Sequence, residues 1–252
     1  RELFSDANQL LQKILKNKSL QAKSIFGLFP ANSVGDDIEV YCPMDKKKLL
    51  GTFYTLRQQL MKRNDKPNLS LSDYIAPKNS GHCDYLGVFC VTTGIGADKL
   101  SKYYENNNDD YNSIMVKALA DRLAEAYAEY LHKKVRTEHW GYSPQEKFNN
   151  DDLIKEKYSG IRPAPGYPAC PDHLEKKTIW NILNVEKNIG VSLTESLAMW
   201  PASSVSGYYF ANPSAKYFGL GKISKDQVED YANRKKITFE NAIKWLKPNL
   251  NF

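Results

Sequence analysis

The sequence predicts an α+β fold, in which a single domain combines an antiparallel β-sheet with a central group of helices. The first observation is that strand-like runs come as neighbours along the chain, Ser24–Phe29 with Asp37–Tyr41 and Ser206–Phe210 with Lys216–Leu220. The second is that helical tracts are grouped between these pairs of strands. A doubly wound Rossmann sheet would instead alternate single strands with helices, so we do not expect one.

In the first half of the chain, hydrophobic spacing predicts two helices and four strands. Leu3–Lys16 has an apolar stripe at helical spacing, and Tyr85–Thr92 has the composition of a buried strand. Pro30–Asp36 is expected to connect the first two strands. The remaining expectations are a third strand at Leu49–Thr55, a helix near Leu56–Lys62 and a polar loop at Asn64–Asn68.

The second half opens with a long helical tract, Tyr111–Arg136, whose apolar and small residues predict a core helix. Three residue pairs have the spacing of a capping box, which marks helix starts. They are Ser143 with Glu146, Asp172 with Glu175, and Ser224 with Gln227. Helices are expected at Asn150–Tyr158, from Asp172 to about Asn184, from Ser224 to about Arg234, and at Thr238–Leu246.

The composition is that of an ordinary globular protein. Of 252 residues, 42% are hydrophobic and 25% are charged, which is enough for a sizeable core. The net charge of +6 favours an acidic partner protein or an anionic ligand group. The densest basic runs, Lys46–Lys48, Lys133–Lys134 and Arg234–Lys236, do not alternate with aromatic residues, so we interpret them as solvated faces and expect no nucleic-acid partner.

The cysteine pattern and the chain ends bear on localisation. The four cysteines, Cys42, Cys83, Cys90 and Cys170, form no C-x-x-C pair, and we interpret them as reduced thiols of a cytoplasmic protein. No apolar run approaches the roughly 18 residues that cross a membrane, and no signal peptide opens the chain. Because the chain begins with Arg1 inside a helical pattern, we expect a fragment of a longer protein or a processed one.

Two short patterns resemble ligand sites but have ordinary structural explanations. Gly94–Lys99 contains G-x-G after a strand, but Lys99 occupies the third glycine position of a dinucleotide motif. We therefore interpret it as a strand-to-helix turn. The acidic pairs Asp36–Asp37 and Asp109–Asp110 could hold a cation, but each lies at a turn or helix start, where capping is the better explanation.

Metal and nucleophile motifs are also weak. His132 with His139, and Cys170 with His173, supply too few convergent ligands for a zinc site. The sequence contains no G-x-S-x-G elbow and no P-loop. We therefore assign no catalytic residue and no metal ligand.

The segment Arg162–Pro171 departs from every periodic pattern. It contains four prolines, which fix φ and remove N–H donors, so we expect a stiff, mostly extended loop that presents carbonyl oxygens as acceptors. Gly166 permits a positive φ or the close approach of a ligand. Arg162 offers a two-pronged contact for a carboxylate. Such a loop could hold an adenine amino group and an amino-acid carboxylate together; the alternative is a rigid surface crossing.

Arg162-x-x-x-Gly166-Tyr167 resembles the R-x-x-x-G-Y motif of the activation domain of cobalamin-dependent methionine synthase. Other blocks of that family match in the same order along nearly the whole chain. They are Gly27–Asn32, Val34–Ile38, Tyr111–Ala126, Leu193–Ser196, Ala198–Pro201, Ser214–Phe218 and Asp226–Ala232. So many blocks in one order argue against a chance match.

The resemblance implies a function. The family's enzyme is a methyltransferase that moves a methyl group from methyltetrahydrofolate to homocysteine through cobalamin. When its cobalamin oxidises, an electron from flavodoxin or a flavoprotein reductase and a methyl group from S-adenosylmethionine restore methylcobalamin. The activation domain supplies the S-adenosylmethionine and packs on the cobalamin-binding domain of the same polypeptide. Cobalamin, and the zinc of the full enzyme, are held by other domains, so this chain alone is not expected to make methionine.

The resemblance also implies the ligand contacts. Arg162 is expected to bind the methionine carboxylate, and the backbone of the following loop to hold the adenosine and amino groups. Acidic side chains suit the neighbourhood of a sulfonium and an ammonium, although they could equally be ordinary helix-surface acids. The expected contact residues are Arg162, Pro163, Ala164, Gly166, Tyr167, Ala169, Tyr217, Phe218, Glu125 and Glu156, with Asp121 one helical turn from Glu125.

One departure from the family affects the expected affinity. In the family an aspartate upstream of the position of Arg1 contacts S-adenosylmethionine, so we expect weakened binding. The alternative function is a docking module for flavodoxin and the cobalamin domain with an incomplete ligand site, which the mild basic excess would suit. A third reading is a free-standing ligand-binding protein with the same fold.

Overall fold

A computed structural model of the protein describes residues 2–62 and 66–252. The helices of this described part are α1 (Glu2–Asn17), α2 (Ala97–Asn106), α3 (Asp110–Lys134), α4 (Asn150–Ile154), α5 (Glu175–Leu183), α6 (Val185–Ile189), α7 (Lys225–Lys235) and α8 (Phe239–Leu246). The strands are β1 (Gln21–Val34), β2 (Asp37–Tyr41), β3 (Leu49–Tyr54), β4 (Asp84–Ile95), β5 (Ser192–Leu193), β6 (Met199–Trp200) and β7 (Ser204–Tyr209).

Five of the strands form one sheet in the order β3-β2-β1-β4-β7, and β5 pairs separately with β6. The pairing of β1 with β2 is antiparallel and runs from Ala31 opposite Val40 to Val34 opposite Asp37. β2 pairs with β3 in the same antiparallel sense. The predicted α+β class with an antiparallel sheet, rather than a Rossmann sheet, is confirmed.

The chain divides into two compact units. The first contains residues up to Ile25, 90–135 and 184–205, and the second contains 26–89, 136–183 and 206–252. The boundaries fall inside β1, β4 and β7, so each of these strands has residues in both units. Leu10, Ile14 and Val116 belong to a core cluster of the first unit, and Leu220 and Ile223 to one of the second.

The long helix α3 confirms the predicted core helix, but its buried face differs from the predicted stripe. Ala120, Ala124 and Ala128 are buried at a spacing of four residues, which lets neighbouring elements approach closely. Ile114, which was expected in the stripe, is 67% exposed. The helix continues into a π-helical turn at Val135–His139.

The predicted helix near Leu56–Lys62 is wrong. This segment is irregular because its backbone and side chains are bound by distant residues. The N–H of Arg57 donates to Oε1 of Gln227 at 2.7 Å. The guanidinium of Arg57 binds the carboxylates of Asp36 and Asp73 at 2.6 and 2.7 Å. The Gln227 side chain thus takes the backbone N–H and carbonyl of Arg57 that a helix would use.

All three predicted capping boxes are wrong in detail, because each Glu or Gln side chain has a distant partner. Glu146 binds Arg136, Glu175 accepts from the N–H of Tyr54, and Gln227 binds the backbone of Arg57. No helix begins at Ser143, where the chain forms a turn. Helices α5 and α7 do begin close to their predicted starts.

The acidic pairs have different outcomes. Asp109 caps α3 as predicted, because its carboxylate accepts from the N–H of Asn112 at 3.0 Å. Asp36 and Asp37 are instead ion-pair partners, of Arg57 and Arg234 respectively. Burial raises the pKa of Asp37 to about 6, against the lowering effect of the Arg234 guanidinium.

Three further boundaries differ from the predictions. Pro30–Val34 belongs to β1, so only Gly35 and Asp36 separate it from β2. The helix predicted to reach Tyr158 ends at Ile154. Of the predicted loop Asn64–Asn68, residues 66–68 are irregular, and 64–65 lie outside the described residues.

Lys216–Leu220 is not a strand, because its backbone makes single contacts rather than a ladder. Within residues 2–62 and 66–252, no helix has both the length and the apolar character needed to span a membrane. All four cysteines are free thiols.

Candidate functional site

The proline-rich loop begins as a strand-like edge beside the end of β7. Ile161 and Phe210 exchange two backbone hydrogen bonds of 3.0 Å, and the N–H of Tyr208 donates to the carbonyl of Pro163 at 2.9 Å. Gly207 makes this approach possible, because a Cβ there would lie 2.4 Å from the Pro163 oxygen. The start of the loop is therefore fixed to the sheet before the chain turns.

The rest of the loop is a compact turn, so the predicted mostly extended conformation is wrong. The N–H of Tyr167 donates to Ala164 at 3.1 Å, and the N–H of Gly166 donates to Cys170 at 2.7 Å. Tyr167 and Cys170 also form an antiparallel bridge. Gly166 has a φ of +96°, and a Cβ at this position would lie 2.3 Å from Cε1 of His173. Both conditions require glycine here.

The carbonyl groups of the loop differ in whether they accept a backbone hydrogen bond. The carbonyls of Pro163, Ala164 and Pro168 accept backbone hydrogen bonds, the last from Leu220 at 2.8 Å. Over the described ranges, the carbonyls of Pro165, Gly166 and Ala169 accept none from the backbone. The expectation of uncontested carbonyl acceptors is therefore met at some positions of the loop and not at others.

Arg162 is held through both its backbone and its side chain. Its N–H donates to the hydroxyl oxygen of Tyr217 at 3.0 Å. Its guanidinium Nη1 donates to the hydroxyl oxygen of Tyr158, also at 3.0 Å. Because the Tyr217 oxygen accepts from Arg162, its own O–H can still donate to a ligand oxygen. The structure thus brings together two expected contact residues, Arg162 and Tyr217.

The segment Ser214–Phe218 contacts the loop through Tyr217, and the chain just after it does so through the hydrogen bond from Leu220 to Pro168. Phe218 is half-buried, and its ring meets that of Tyr74 edge-on with 6.5 Å between centroids. Tyr217 is 39% exposed and Tyr167 54% exposed, so both rings offer surface to solvent or a ligand. Aromatic residues with one wet face are well suited to binding a nucleoside.

The acidic residues expected near the ligand lie on separate elements. Glu156 is exposed just after α4 and has a φ of +51°. Glu125 is exposed on α3, in the first unit. Asp121 accepts from the hydroxyl of Ser203 at 2.6 Å. Contact of Glu125 or Glu156 with a ligand stays a prediction.

A buried charge network anchors the C-terminal end of the loop. Nζ of Lys235 lies 2.8 Å from Asp172 and also contacts Glu175, and the hydroxyl of Tyr231 donates to Asp172 at 2.6 Å. Burial raises the pKa of Glu175 to about 7, while Lys235 acts in the opposite direction. Sequence reasoning treated Asp172 and Glu175 as helix caps and so missed this network.

A second buried group stands behind Arg162, and sequence reasoning missed it too. Arg136 has no exposed side-chain surface, pairs with Glu146, and lies under the ring of Tyr158. A signal was available, because Arg136 continues the buried four-residue spacing of Ala120, Ala124, Ala128 and His132. A charged residue on a buried face requires a partner.

The Gly94–Lys99 pattern forms the turn that the sequence predicts. Gly96 lies between β4 and α2 with a φ of +92°, and a Cβ there would lie 2.4 Å from the carbonyl of Ser19, which confirms a strand-to-helix turn. His132 is fully buried. In the part of the chain that the structure describes, no group of three or more His, Cys, Asp or Glu residues could hold a metal ion.

An open cleft of about 710 Å³ lies elsewhere in the second unit, between Ser33–Gly35 and residues of Ser72–Asn79. None of the expected contact residues lines it. The cleft is therefore not the site that the sequence pattern indicates.

The fold and the loop define a class of protein: an α+β module that presents an arginine and backbone acceptors beside an antiparallel sheet, without a Rossmann phosphate turn. The chain belongs to the family described as vitamin B12-dependent methionine synthase, activation domain, which matches residues 1–236. This family is part of methionine synthase, a methyltransferase. The resemblance inferred from the sequence is confirmed.

A solved structure is similar over the whole chain. It is titled "Crystal Structure of the MetH Reactivation Domain bound to AdoHcy" and is 53% identical to this chain. The match covers 100% of this chain and 77% of that chain, with a TM-score of 0.96. That reactivation domain was crystallised with S-adenosylhomocysteine.

Proposed function

We propose that this chain binds S-adenosylmethionine and presents its methyl group for the reductive reactivation of cobalamin, as one module of a larger methionine synthase. The observation that carries the proposal is the 53% identity to a reactivation domain bound to AdoHcy. S-adenosylhomocysteine is what remains of S-adenosylmethionine after methyl transfer. A site that holds it therefore fits the methyl donor as well.

The residues of the loop fit such a ligand. Arg162 would bind the methionine carboxylate, because a guanidinium matches the two oxygens of a carboxylate. The carbonyls of Pro165, Gly166 and Ala169 would accept from the adenine and ammonium groups. Tyr217, whose oxygen already accepts from Arg162, would donate its O–H to a ligand oxygen. Pro163, Ala164, Tyr167 and Phe218 complete the proposed contact surface.

The acidic residues supply the remaining charge complementarity. Glu125 and Glu156 are both exposed, so their carboxylates are accessible to a ligand. Placed near the ligand, they would favour its sulfonium and ammonium groups.

Methyl transfer from S-adenosylmethionine requires this chain to position the ligand and does not require it to transfer a proton. When bound, S-adenosylmethionine supplies an electrophilic methyl group on a sulfonium that leaves readily. The residues of the loop fix the carboxylate and the adenosine at the two ends of the ligand, which orients the methyl group between them. No general base is required, in keeping with the absence of a catalytic motif in the sequence.

The partners follow from the same proposal. The module would meet the cobalamin-binding domain of its own polypeptide and would work with flavodoxin or a flavoprotein reductase in the cytoplasm. The net charge of +6 suits an acidic electron donor. Cobalamin and zinc would be bound by other domains of the enzyme.

Calorimetric titration with S-adenosylmethionine tests the proposal. Arg162→Ala should weaken binding by about 1.5–3 kcal/mol, or ten-fold and more, because it removes a charged hydrogen-bonding contact. Lys225→Ala, which removes an exposed cation on α7, is the control and should leave the affinity unchanged.

Equal affinity of the unmodified chain and of Arg162→Ala would refute the assigned site. No binding by the unmodified chain, with both S-adenosylmethionine and S-adenosylhomocysteine, would favour the docking module instead. Flavodoxin binding measured on the same preparation then decides that alternative.

A further inference from the structure

We propose that Tyr158 is a positioning residue that aims the guanidinium of Arg162, and that a buried platform of Arg136 and Glu146 holds Tyr158 in place. The inference deepens the proposed function and rests on it, because Arg162 is the residue to which we assign the ligand carboxylate. It adds a determinant of selectivity for that carboxylate.

The first step is the contact between the two side chains. The hydroxyl oxygen of Tyr158 accepts from Nη1 of Arg162 at 3.0 Å, and Tyr158 is only 7% exposed. A guanidinium is planar, so fixing one of its N–H groups in a buried hydrogen bond restricts the plane of all five donors. The backbone of Arg162 is fixed independently by Tyr217. Tyr158 therefore restrains the side chain of Arg162, and Tyr217 restrains its backbone.

The buried pair of Arg136 and Glu146 forms a platform beneath the ring of Tyr158. Nε and Nη2 of Arg136 donate to the two carboxylate oxygens of Glu146 at 2.7 and 2.8 Å. The centre of the Arg136 guanidinium lies 4.0 Å from the centroid of the Tyr158 ring. A desolvated cation at this distance attracts the ring face and fixes its plane. The ring thus packs on a guanidinium that two hydrogen bonds to Glu146 hold in place.

The short segment between Tyr158 and Arg162 links the platform to the loop. Gly160 lies between Tyr158 and Arg162 with a φ of +83°, and a Cβ there would lie 2.5 Å from the carbonyl of Phe210 and 2.6 Å from the hydroxyl of Tyr142. The segment is therefore wedged between neighbours. Arg136 lies in a π-helical turn, an irregularity that is frequent at functional sites.

A merely structural role would not need this arrangement. Replacing a buried ion pair by apolar residues of similar size is often neutral or stabilising, so the pair is weak as a source of stability. Its charges are instead arranged to orient a ring whose hydroxyl points to Arg162. Selectivity for a ligand with a carboxylate over one without it should depend on Tyr158.

Tyr158→Phe tests the inference, because it removes the hydroxyl and keeps the ring over Arg136. Affinities are measured for S-adenosylmethionine and for its decarboxylated analogue, which lacks the group that Arg162 would bind. The variant should bind S-adenosylmethionine about ten-fold more weakly and the analogue equally well. Tyr158→Phe added to Arg162→Ala should have no further effect. The control is Tyr111→Phe, which removes an exposed hydroxyl bond to Asp6 and should change neither affinity.

Equal weakening for both ligands would overturn the positioning role, because general damage to the site does not discriminate between them. Unchanged affinity for both ligands would overturn it as well. A ligand-free readout separates this inference from the proposed function: side-chain ¹⁵N relaxation of Arg162 should show a lower order parameter in Tyr158→Phe. If the unmodified chain binds neither ligand but the Arg162 order parameter falls in Tyr158→Phe, the proposed function fails and the positioning contact stands. If the order parameter is unchanged in Tyr158→Phe, the positioning contact is overturned.

Discussion

Arg136→Met is predicted to be one of the most destabilising single substitutions in the second unit. The side chains of Arg136 and Glu146 are 0% and 2% exposed, so the change strands a carboxylate in the interior. Removing one partner of a buried pair costs about 3–5 kcal/mol. The lost contact with the Tyr158 ring adds up to about 2 kcal/mol, which the apolar contacts of methionine offset to a similar extent. We expect the free energy of unfolding to fall by about 3–5 kcal/mol, a large share of the stability of an ordinary domain.

The double variant Arg136→Met with Glu146→Leu tests whether the stranded carboxylate causes the loss of stability. Removing both charges also removes the stranded carboxylate of Glu146, so the double variant should be more stable than Arg136→Met alone and lie within about 1 kcal/mol of the unmodified chain. Urea unfolding is followed by tryptophan fluorescence and by far-ultraviolet circular dichroism, and the two transitions must coincide before one free energy is assigned. Lys225→Met breaks an exposed pair with Glu229 and should cost less than about 1 kcal/mol. A cost for Arg136→Met no larger than this control, or a double variant no better than the single, would refute the argument.

The remaining predictions concern the loop, its buried acid and one helix cap. Gly207→Ala places a Cβ 2.4 Å from the Pro163 carbonyl oxygen, so the affinity for S-adenosylmethionine should fall about ten-fold. Gly219→Ala is the control and should bind normally, because the nearest atom to its Cβ would be 3.9 Å away. Burial raises the pKa of Glu175 from 4.5 to about 7, so its protonated form is favoured on folding. The stability of the unmodified chain relative to Glu175→Gln should therefore decline as pH rises from 4.5 to 7, by at most about 1.4 kcal/mol per pH unit; parallel pH profiles would contradict this. Asp109→Ala removes the N-cap of α3 and should lower the free energy of unfolding measured by urea titration, and an unchanged value would contradict this.

The parts of the fold that sequence could predict are those whose backbone bonds are local or whose burial pattern is strong. Strand β4 and helix α3 have continuous apolar or small residues, and both were found within a few residues of their ends. Leu56–Lys62 failed because its apolar spacing suits a helix while Gln227, far along the chain, takes the backbone N–H of Arg57. Such a partner is invisible to any pattern confined to neighbouring residues.

The candidate site also has features that the sequence predicted and features that it did not. Arg162 and Tyr217 were both expected from motifs, and they lie in direct contact although 55 residues separate them. The compact turn of the loop was not expected, because the prolines suggested an extended chain and the turn is closed by the residues between them. Tyr158 lies four residues before Arg162, a spacing that carries no special meaning outside a helix.

A site whose chemistry is positioning depends on residues that never touch the ligand. A proton-transfer site reveals itself through a few titratable side chains, whereas an orienting site needs every contact group to be held by something else. Here Gly207 sets how closely Pro163 approaches β7, and Tyr158 restrains Arg162 from behind. The buried pair of Arg136 and Glu146 then has a functional reason to keep its charges, since an apolar pair could fill the same space but could not hold the ring by its face. Substitutions behind the loop should accordingly alter selectivity among S-adenosyl ligands as strongly as substitutions within it.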